Sequence, residues 1–257
     1  MIESLYIAET GMNSQQKLID VISNNIANSS TLGFKKSDLN FVDLVYQKDI
    51  SSGNSIDNTQ SSINNGAGVS ITSSTLDFSV GGFKQTGNPF DIAIQGKGLL
   101  EVIIDDNSLA YTRAGRIRID QDGYLTSIEG HKLSGSFQLP PDATDFKVSS
   151  EGNITIRLGN DGELLEIGQL ELVTFSNTDG LISIGSNLYQ ADPAAGEAVY
   201  GDPDELGNGS IVQGVTEISN VSMTEERVNL MLAQRGFQLN ARINQISDQL
   251  QGSINNL

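Results

Sequence analysis

The chain has 257 residues, with 32 acidic against 15 basic side chains, a formal charge of −17 and no cysteine. That balance argues against binders of nucleic acid and of anionic membrane surfaces, which need clustered Lys and Arg. The missing thiols exclude disulfides, cysteine catalysis and Cys-ligated zinc. An apolar content of 37% implies a modest core, held in one large domain or two small ones.

The opening, MIESLYIAETGM, has no basic n-region, and Glu3 and Glu9 interrupt its apolar residues, so no cleaved signal peptide is expected. No apolar run reaches bilayer length, so no membrane insertion is expected either. Leu5, Ala8, Met12, Gln15, Ile19, Ile22 and Ile26 recur at alternating steps of three and four. This predicts an amphipathic helix of coiled-coil periodicity over residues 1–30.

Residues 24–37, NNIANSSTLGFKKS, hold no nucleophile–base pair, metal-ligand cluster or phosphate loop. Asn and Gly tolerate left-handed backbone, and Asn and Ser side chains satisfy freed backbone groups, so the stretch reads as a helix exit. Lys35 and Lys36 fall just past the negative helix end. The exit is expected to turn the chain into an extended linker and polar arm, residues 31–74. Within it, residues 47–74 have neither helical nor strand period and little to bury, which reads as an arm mobile in a free monomer.

Residues 75–215 are expected to form a central all-β domain. Alternation marks Phe90–Ile94, Arg116–Ile119 and Ile154–Leu158, and turn signals follow at Gly96-Lys-Gly98, Asp120-Gln-Asp-Gly123 and Gly159-Asn-Asp-Gly162. Residues 216–257 return to helical spacing, through Leu232, Gly236, Leu239, Ile243, Ile246, Leu250, Ser253 and Leu257. Ser222 and Glu225 form a capping box ahead of it. Gly236 costs a helix interior about 1 kcal/mol relative to Ala; it either allows a close helix approach or is simply tolerated. The fold class expected is α+β: N- and C-terminal helices forming a coiled-coil-like layer, a central all-β domain and an extended arm. The helices are expected to pack on each other and on neighbouring chains, burying Leu5, Met12, Ile19, Ile22 and Ile26 from the first. The second contributes Leu232, Leu239, Ile243, Ile246 and Leu250.

No catalytic, cofactor-binding or metal residue stands out. His131 is the only histidine and sits in Glu129-Gly-His-Lys, which reads as an exposed loop. Gly96-x-Gly98 lacks the third glycine of a dinucleotide fingerprint and precedes a strand. Asp120-x-Asp-Gly123 lacks the later oxygen ligands of a calcium loop and reads as a hairpin turn. Two classes stay in view: a polymerising structural protein, and a secreted carbohydrate-binding or hydrolytic β protein.

Ser23-Asn-Asn-Ile-Ala-Asn28 with Thr31-Leu-Gly-Phe-Lys35 resembles the N-terminal signature of the bacterial flagellar rod and hook proteins. Ser219-Asn-Val221, Glu225-Glu226, Val228-Asn229 and Gln234-Arg235 resemble their C-terminal signature. Between them, Gly87-Asn88, Asp91–Ile94, Gly96-x-Gly98, Tyr111-Thr-Arg113, Gly123-x-Leu125, Gly180-Leu181 and Gly185-x-Asn-Leu-Tyr189 match in order. Leu99-Leu100 departs where the family favours aromatics, and Gly236 where it favours Ala. Asn24, Asn25, Asn28, Gly33, Phe34, Asn220, Glu226, Gln234 and Arg235 are the motif residues carried over.

The length and the opening look most like the distal-rod branch of the family, with a proximal-rod or hook paralogue as the alternative. The resemblance implies a structural, non-enzymatic subunit without cofactor, exported uncleaved by the flagellar export apparatus. Its implied form is a helical homopolymer crossing the periplasm as a drive shaft. The implied partners are proximal rod proteins, the hook protein and the surrounding P-ring and L-ring proteins.

Overall fold

The computed structural model describes residues 2–44, 47–49, 63–104, 108–159, 162–205 and 207–255. The chain separates into two compact units. One is built from Met1–Ala27, Ser37–Thr75 and Ser222–Leu257, the other from Asn28–Lys36 and Leu76–Val221. It is an α+β protein, with its two α-helices at the ends of the sequence and strands between them.

The first unit holds helices α1 (Ile2–Ala27) and α2 (Met223–Asn255). The helices run antiparallel, with Gly11 opposite Asn240 and Gln15 opposite Gly236. α2 begins directly after Ser222, where the sequence puts its cap. The Ser222 carbonyl accepts the first helical hydrogen bond, from the Glu226 amide at 3.0 Å, and Glu225 and Glu226 place negative charge at the positive helix end. Among the described residues no helix is long and apolar enough to cross a membrane. Ser37–Asp43 pairs with Val69–Leu76, and Gln47–Asp49 pairs antiparallel with Ile63–Asn65. The stretch expected to have neither period thus carries strands at both ends, because their partners lie far apart in sequence; residues 45–46 and 50–62 of the expected linker and arm lie outside the described residues.

The second unit is built of antiparallel strands, with short 3-10 turns at Thr178–Gly180 and Pro193–Ala195. Its largest sheet has seven strands. In spatial order they are Leu181–Gly185, Leu188–Ala191, Leu109–Thr112, Leu100–Ile103, Lys132–Leu133, Leu125–Ser127 and Ile117–Ile119. A three-stranded sheet, Ala143–Val148, Asn153–Leu158 and Leu164–Gln169, packs on it through a common core that includes Ile92, Leu100, Leu125, Ile154, Ile156 and Leu172. Alternation predicts Ile154 and Ile156 well, since both are fully buried while Thr155 and Arg157 are partly covered. It does less well elsewhere. Ala93 is as buried as Ile92 and Ile94, because that strand is covered on both faces, whereas Ile119 is exposed at the end of its sheet. Asp120–Gly123 closes a hairpin as expected, with the Gly123 amide bonded to the Asp120 carbonyl at 3.0 Å. Val215–Glu217 pairs with Phe83–Gln85, so the chain stays in this unit until just before α2.

Candidate functional site

The polar stretch after α1 is built into the fold at both ends. Asn25 is 1% exposed. Its carboxamide donates to the Ser37 carbonyl at 2.9 Å and accepts from the Ser37 amide at 3.0 Å, so one side chain pairs with the backbone as a strand would. Asn28 caps the turn that follows, accepting from the Thr31 amide at its carbonyl and from the Thr31 hydroxyl at its side chain. Residues 28–36 then join the second unit as a strap. Gly33 has φ +70°, and a Cβ there would lie 2.8 Å from the Ala114 backbone. Both facts require glycine. The Gly33 amide donates to the Glu217 carbonyl at 2.9 Å, and the Asn187 side chain donates to the Leu32 carbonyl at 2.9 Å.

Lys35 is not a surface charge beyond a helix end. It is 1% exposed, and its ammonium donates to Glu217 Oε1 at 2.7 Å and to the Ser79 carbonyl at 2.6 Å. Glu217 is as deeply buried; its Oε1 also accepts from the Gly81 amide at 2.8 Å, and its Oε2 from Arg113 Nε at 2.6 Å. Arg113 directs three further N–H groups at carbonyls. Nη2 bonds to those of Ile94 and Gly96 at 2.6 Å each, and Nη1 to that of Gly98. Two cations and one carboxylate leave a surplus positive charge, and the ring of carbonyl dipoles offsets it. Burial alone pushes Glu217 up, but the Arg113 charge and the hydrogen bond from Lys35 outweigh it and hold the carboxyl below its ordinary range. Burial lowers Lys35, with the Glu217 hydrogen bond and charge opposing. Tyr189 stands beside the network, and burial pushes its phenol up to about 12 despite a hydrogen bond from the Lys35 backbone.

Beyond this triad, Asn220 ties three chain segments. Its Oδ1 accepts from the Lys36 amide at 2.9 Å, and its Nδ2 donates to the Asp77 carbonyl at 2.7 Å. Asp77 closes the loop by donating its amide to the Lys36 carbonyl at 2.9 Å. Segments quoted separately from the sequence thus meet at one place: Gly33 and Lys35, Gly96 and Gly98, Arg113, Asn187 and Tyr189, and Asn220. Glu217 is the residue that sequence reasoning missed. Its one signal is a carboxylate flanked by the strand formers Val215, Thr216 and Ile218.

The helix stripes behave differently. On α1, Ile22 is buried and Leu5, Met12, Ile19 and Ile26 are half-buried. On α2 all five expected seam residues are exposed: Leu232 60%, Leu239 64%, Ile243 45%, Ile246 48% and Leu250 52%. The face of α2 turned toward α1 carries small and polar residues instead, with Glu226, Ala233 and Ser247 buried. Gly236 and Asn240 lie on it too, and a Cβ at Gly236 would come within 3.1 Å of Gln15. Gln15 Oε1 and Asn244 Oδ1 are buried there without a hydrogen-bond partner. The five expected seam residues of α2 therefore lie largely outside its contact with α1, Leu232 bordering a groove it shares with Gln15, Leu18 and Ile22. The remaining motif residues fall on both sides of this division. Phe34 is half-buried, while Asn24, Gln234 and Arg235 are exposed.

A second buried carboxylate, Glu101, accepts from the Ser134 hydroxyl and from the Tyr200 hydroxyl at 2.6 Å, beside a cavity of about 240 Å³. The hydrogen bond to Glu101 raises the Tyr200 phenol well above its ordinary value. His131 lies in a tight hairpin, where its carbonyl accepts from the Ser127 amide at 2.7 Å. Among the described residues, no three metal-ligating side chains gather at one point.

An α-helical unit with an uncovered apolar stripe, and a β unit tied at its chain crossings by a buried ion triad, suit a subunit that meets other subunits. The chain belongs to the bacterial flagellar rod and hook family. Residues 5–35 match the flagella basal body rod protein model, residues 93–156 the flagellar hook protein FlgE/F/G D1 domain, and residues 212–257 the flagellar basal body rod FlgEFG protein C-terminal model. Among its full-length relatives are flagellar basal-body rod proteins FlgG. Identity is 37% to that of Buchnera aphidicola subsp. Schizaphis graminum, covering all of both chains. It is 38% to that of Bacillus subtilis and 35% to that of Borreliella burgdorferi, each covering all of this chain and 99% of the relative.

Proposed function

We propose that the chain is a structural, non-enzymatic subunit of the flagellar distal rod. It polymerises into a helical tube that transmits torque from the motor to the hook. Full-length similarity to FlgG supports the assignment. The single structural observation that carries it is the row of five exposed apolar residues on α2, Leu232 to Leu250. A chain of net charge −17 gains nothing from exposing them alone. A heterologous contact repeated from subunit to subunit would bury them in a coiled-coil-like layer and generate a helix. Residues 1–27 and 222–257 would form the inner tube, residues 37–75 the arm reaching neighbouring subunits, and residues 28–36 with 76–221 the outward β domain.

In this reading the rod crosses the periplasm, bounded by proximal rod proteins on one side and the hook protein on the other, within the P-ring and L-ring. The subunit is exported without cleavage. Electron microscopy of the purified chain after salt addition tests the core of it. Rods or tubes are expected. A persistent monomer would count against polymerisation, and one that binds glycans would favour the carbohydrate-binding class.

A further inference from the structure

The chain crosses between its two units after Ala27, Lys36, Thr75 and Val221. Three of these crossings leave the β unit beside one another in their hydrogen bonding. Lys36, Asp77 and Asn220 are joined in a closed ring by two side-chain bonds and one backbone bond. Directly behind it, Lys35 and Glu217 are joined by the buried ion pair, which Arg113 braces against three carbonyls. Residues 36 and 220 are 184 positions apart in sequence, and the strands of the β unit lie in the loop between them, together with Ser37–Thr75 of the first unit.

Elsewhere, buried ion pairs in small domains stabilise little on balance, because desolvation offsets the attraction. This one sits where tension would enter. A rod subunit that carries torque is pulled through its terminal segments. A pull on residue 36 against residue 220 would otherwise run along the chain and peel strands from the β unit. With the ring closed, the same pull passes across from Lys36 to Asn220 and from Lys35 to Glu217, and the strands between remain unloaded.

We propose that Asn220 and the buried Lys35–Glu217–Arg113 triad are a mechanical shunt, through which tension on the terminal segments bypasses the β unit. The use of such a device rests on the rod reading. The device itself is a property of the single chain, so its test does not depend on polymerisation.

The chain has no native cysteine, so Ser30→Cys and Thr224→Cys provide unique handles for pulling the full-length protein between optical traps. The unmodified network should rupture in one step, releasing up to roughly 600 Å of extended chain at about 3.4 Å per residue. Glu217→Gln and Asn220→Ala should each raise the rupture rate at fixed tension at least tenfold. They should also split the event, with a short early extension followed by unfolding of the strands. Glu101→Gln, which weakens the same β unit at a distance from the crossings, is the control. Matched for loss of stability at zero tension, it should change the rupture rate several-fold less than Glu217→Gln. Equal sensitivity of the two variants, or an unchanged rupture rate in Glu217→Gln and Asn220→Ala, would overturn the proposal.

Discussion

Replacing Glu217 by Gln changes almost no volume but removes the one carboxylate between Lys35 and Arg113. Gln can still accept at Oε1 both hydrogen bonds made there now, from Lys35 Nζ at 2.7 Å and the Gly81 amide at 2.8 Å. At the other position its amide would face Arg113 Nε, donor against donor, across a distance that is now 2.6 Å. Two cations would remain buried without a counter-charge. Breaking one partner of a buried pair costs about 3–5 kcal/mol, a large share of the roughly 5–15 kcal/mol that stabilises a domain. For a unit of this size, about 2–4 °C per kcal/mol puts the loss at about 10 °C in melting temperature. Thermal unfolding of the full chain, followed by tyrosine near-ultraviolet circular dichroism, measures it.

Acid titration gives the same reasoning a second readout. Because the folded Glu217 carboxyl is held below its ordinary range, its contribution is fully present above the unfolded carboxylate pKa. It is lost as pH falls through the lower folded value. Native protein should therefore lose stability as pH drops through and below the ordinary carboxylate range, and Glu217→Gln should flatten that limb. A variant that melts within about 1 °C of native and keeps the same acid limb would show that the triad contributes nothing.

Gly33→Ala should lower the urea midpoint without changing the slope, by about 1–3 kcal/mol for a side chain forced into left-handed backbone against Ala114. Asn25→Ala removes two hydrogen bonds to Ser37 and should cost about 1–3 kcal/mol, read as faster amide exchange in Ser37–Asp43. Salt should accelerate polymerisation followed by light scattering, because subunits of charge −17 repel less as the Debye length falls from about 30 Å at 0.01 M to about 8 Å at 0.15 M. Slower assembly in salt would mean that charge-paired contacts dominate.

The helices and the α+β class were legible because local pattern carries them: heptad spacing at both ends, alternation at Ile154 and Ile156, and Asp-Gly at the Asp120 hairpin. Ile119 and Ala93 escaped, since alternation reports neither the end of a sheet nor a strand covered on both faces. The direction of the α2 stripe escaped for a related reason. A heptad row says which residues share a face, and nothing local says which face meets α1. Gly236 breaks the apolar row in sequence and does allow the close helix approach there, against Gln15, while Asn240 opposite Gly11 lies outside the row and carried no signal. The junction was half legible. Gly33, Arg113, Asn187 and Asn220 were visible as motif residues with no evident purpose. Their purpose needs Glu217, which lies 182 residues from Lys35, and no spacing rule spans that distance.

The central claim is that the exposed apolar stripe of α2 is an assembly surface, and Ile243→Asp tests it most directly. Ile243 is 45% exposed in the single chain, so the substitution should leave the melting temperature of the β unit unchanged. In a polymer it would bury an unpaired carboxylate at every repeat, at several kcal/mol each. The critical concentration should then rise about tenfold for every 1.4 kcal/mol. Electron microscopy and pelleting of the purified variant should find no rods at concentrations where the native chain and Gln245→Asp assemble, and cells carrying Ile243→Asp should be non-motile. Rods of native length at the native critical concentration, or normal swimming by those cells, would contradict the account.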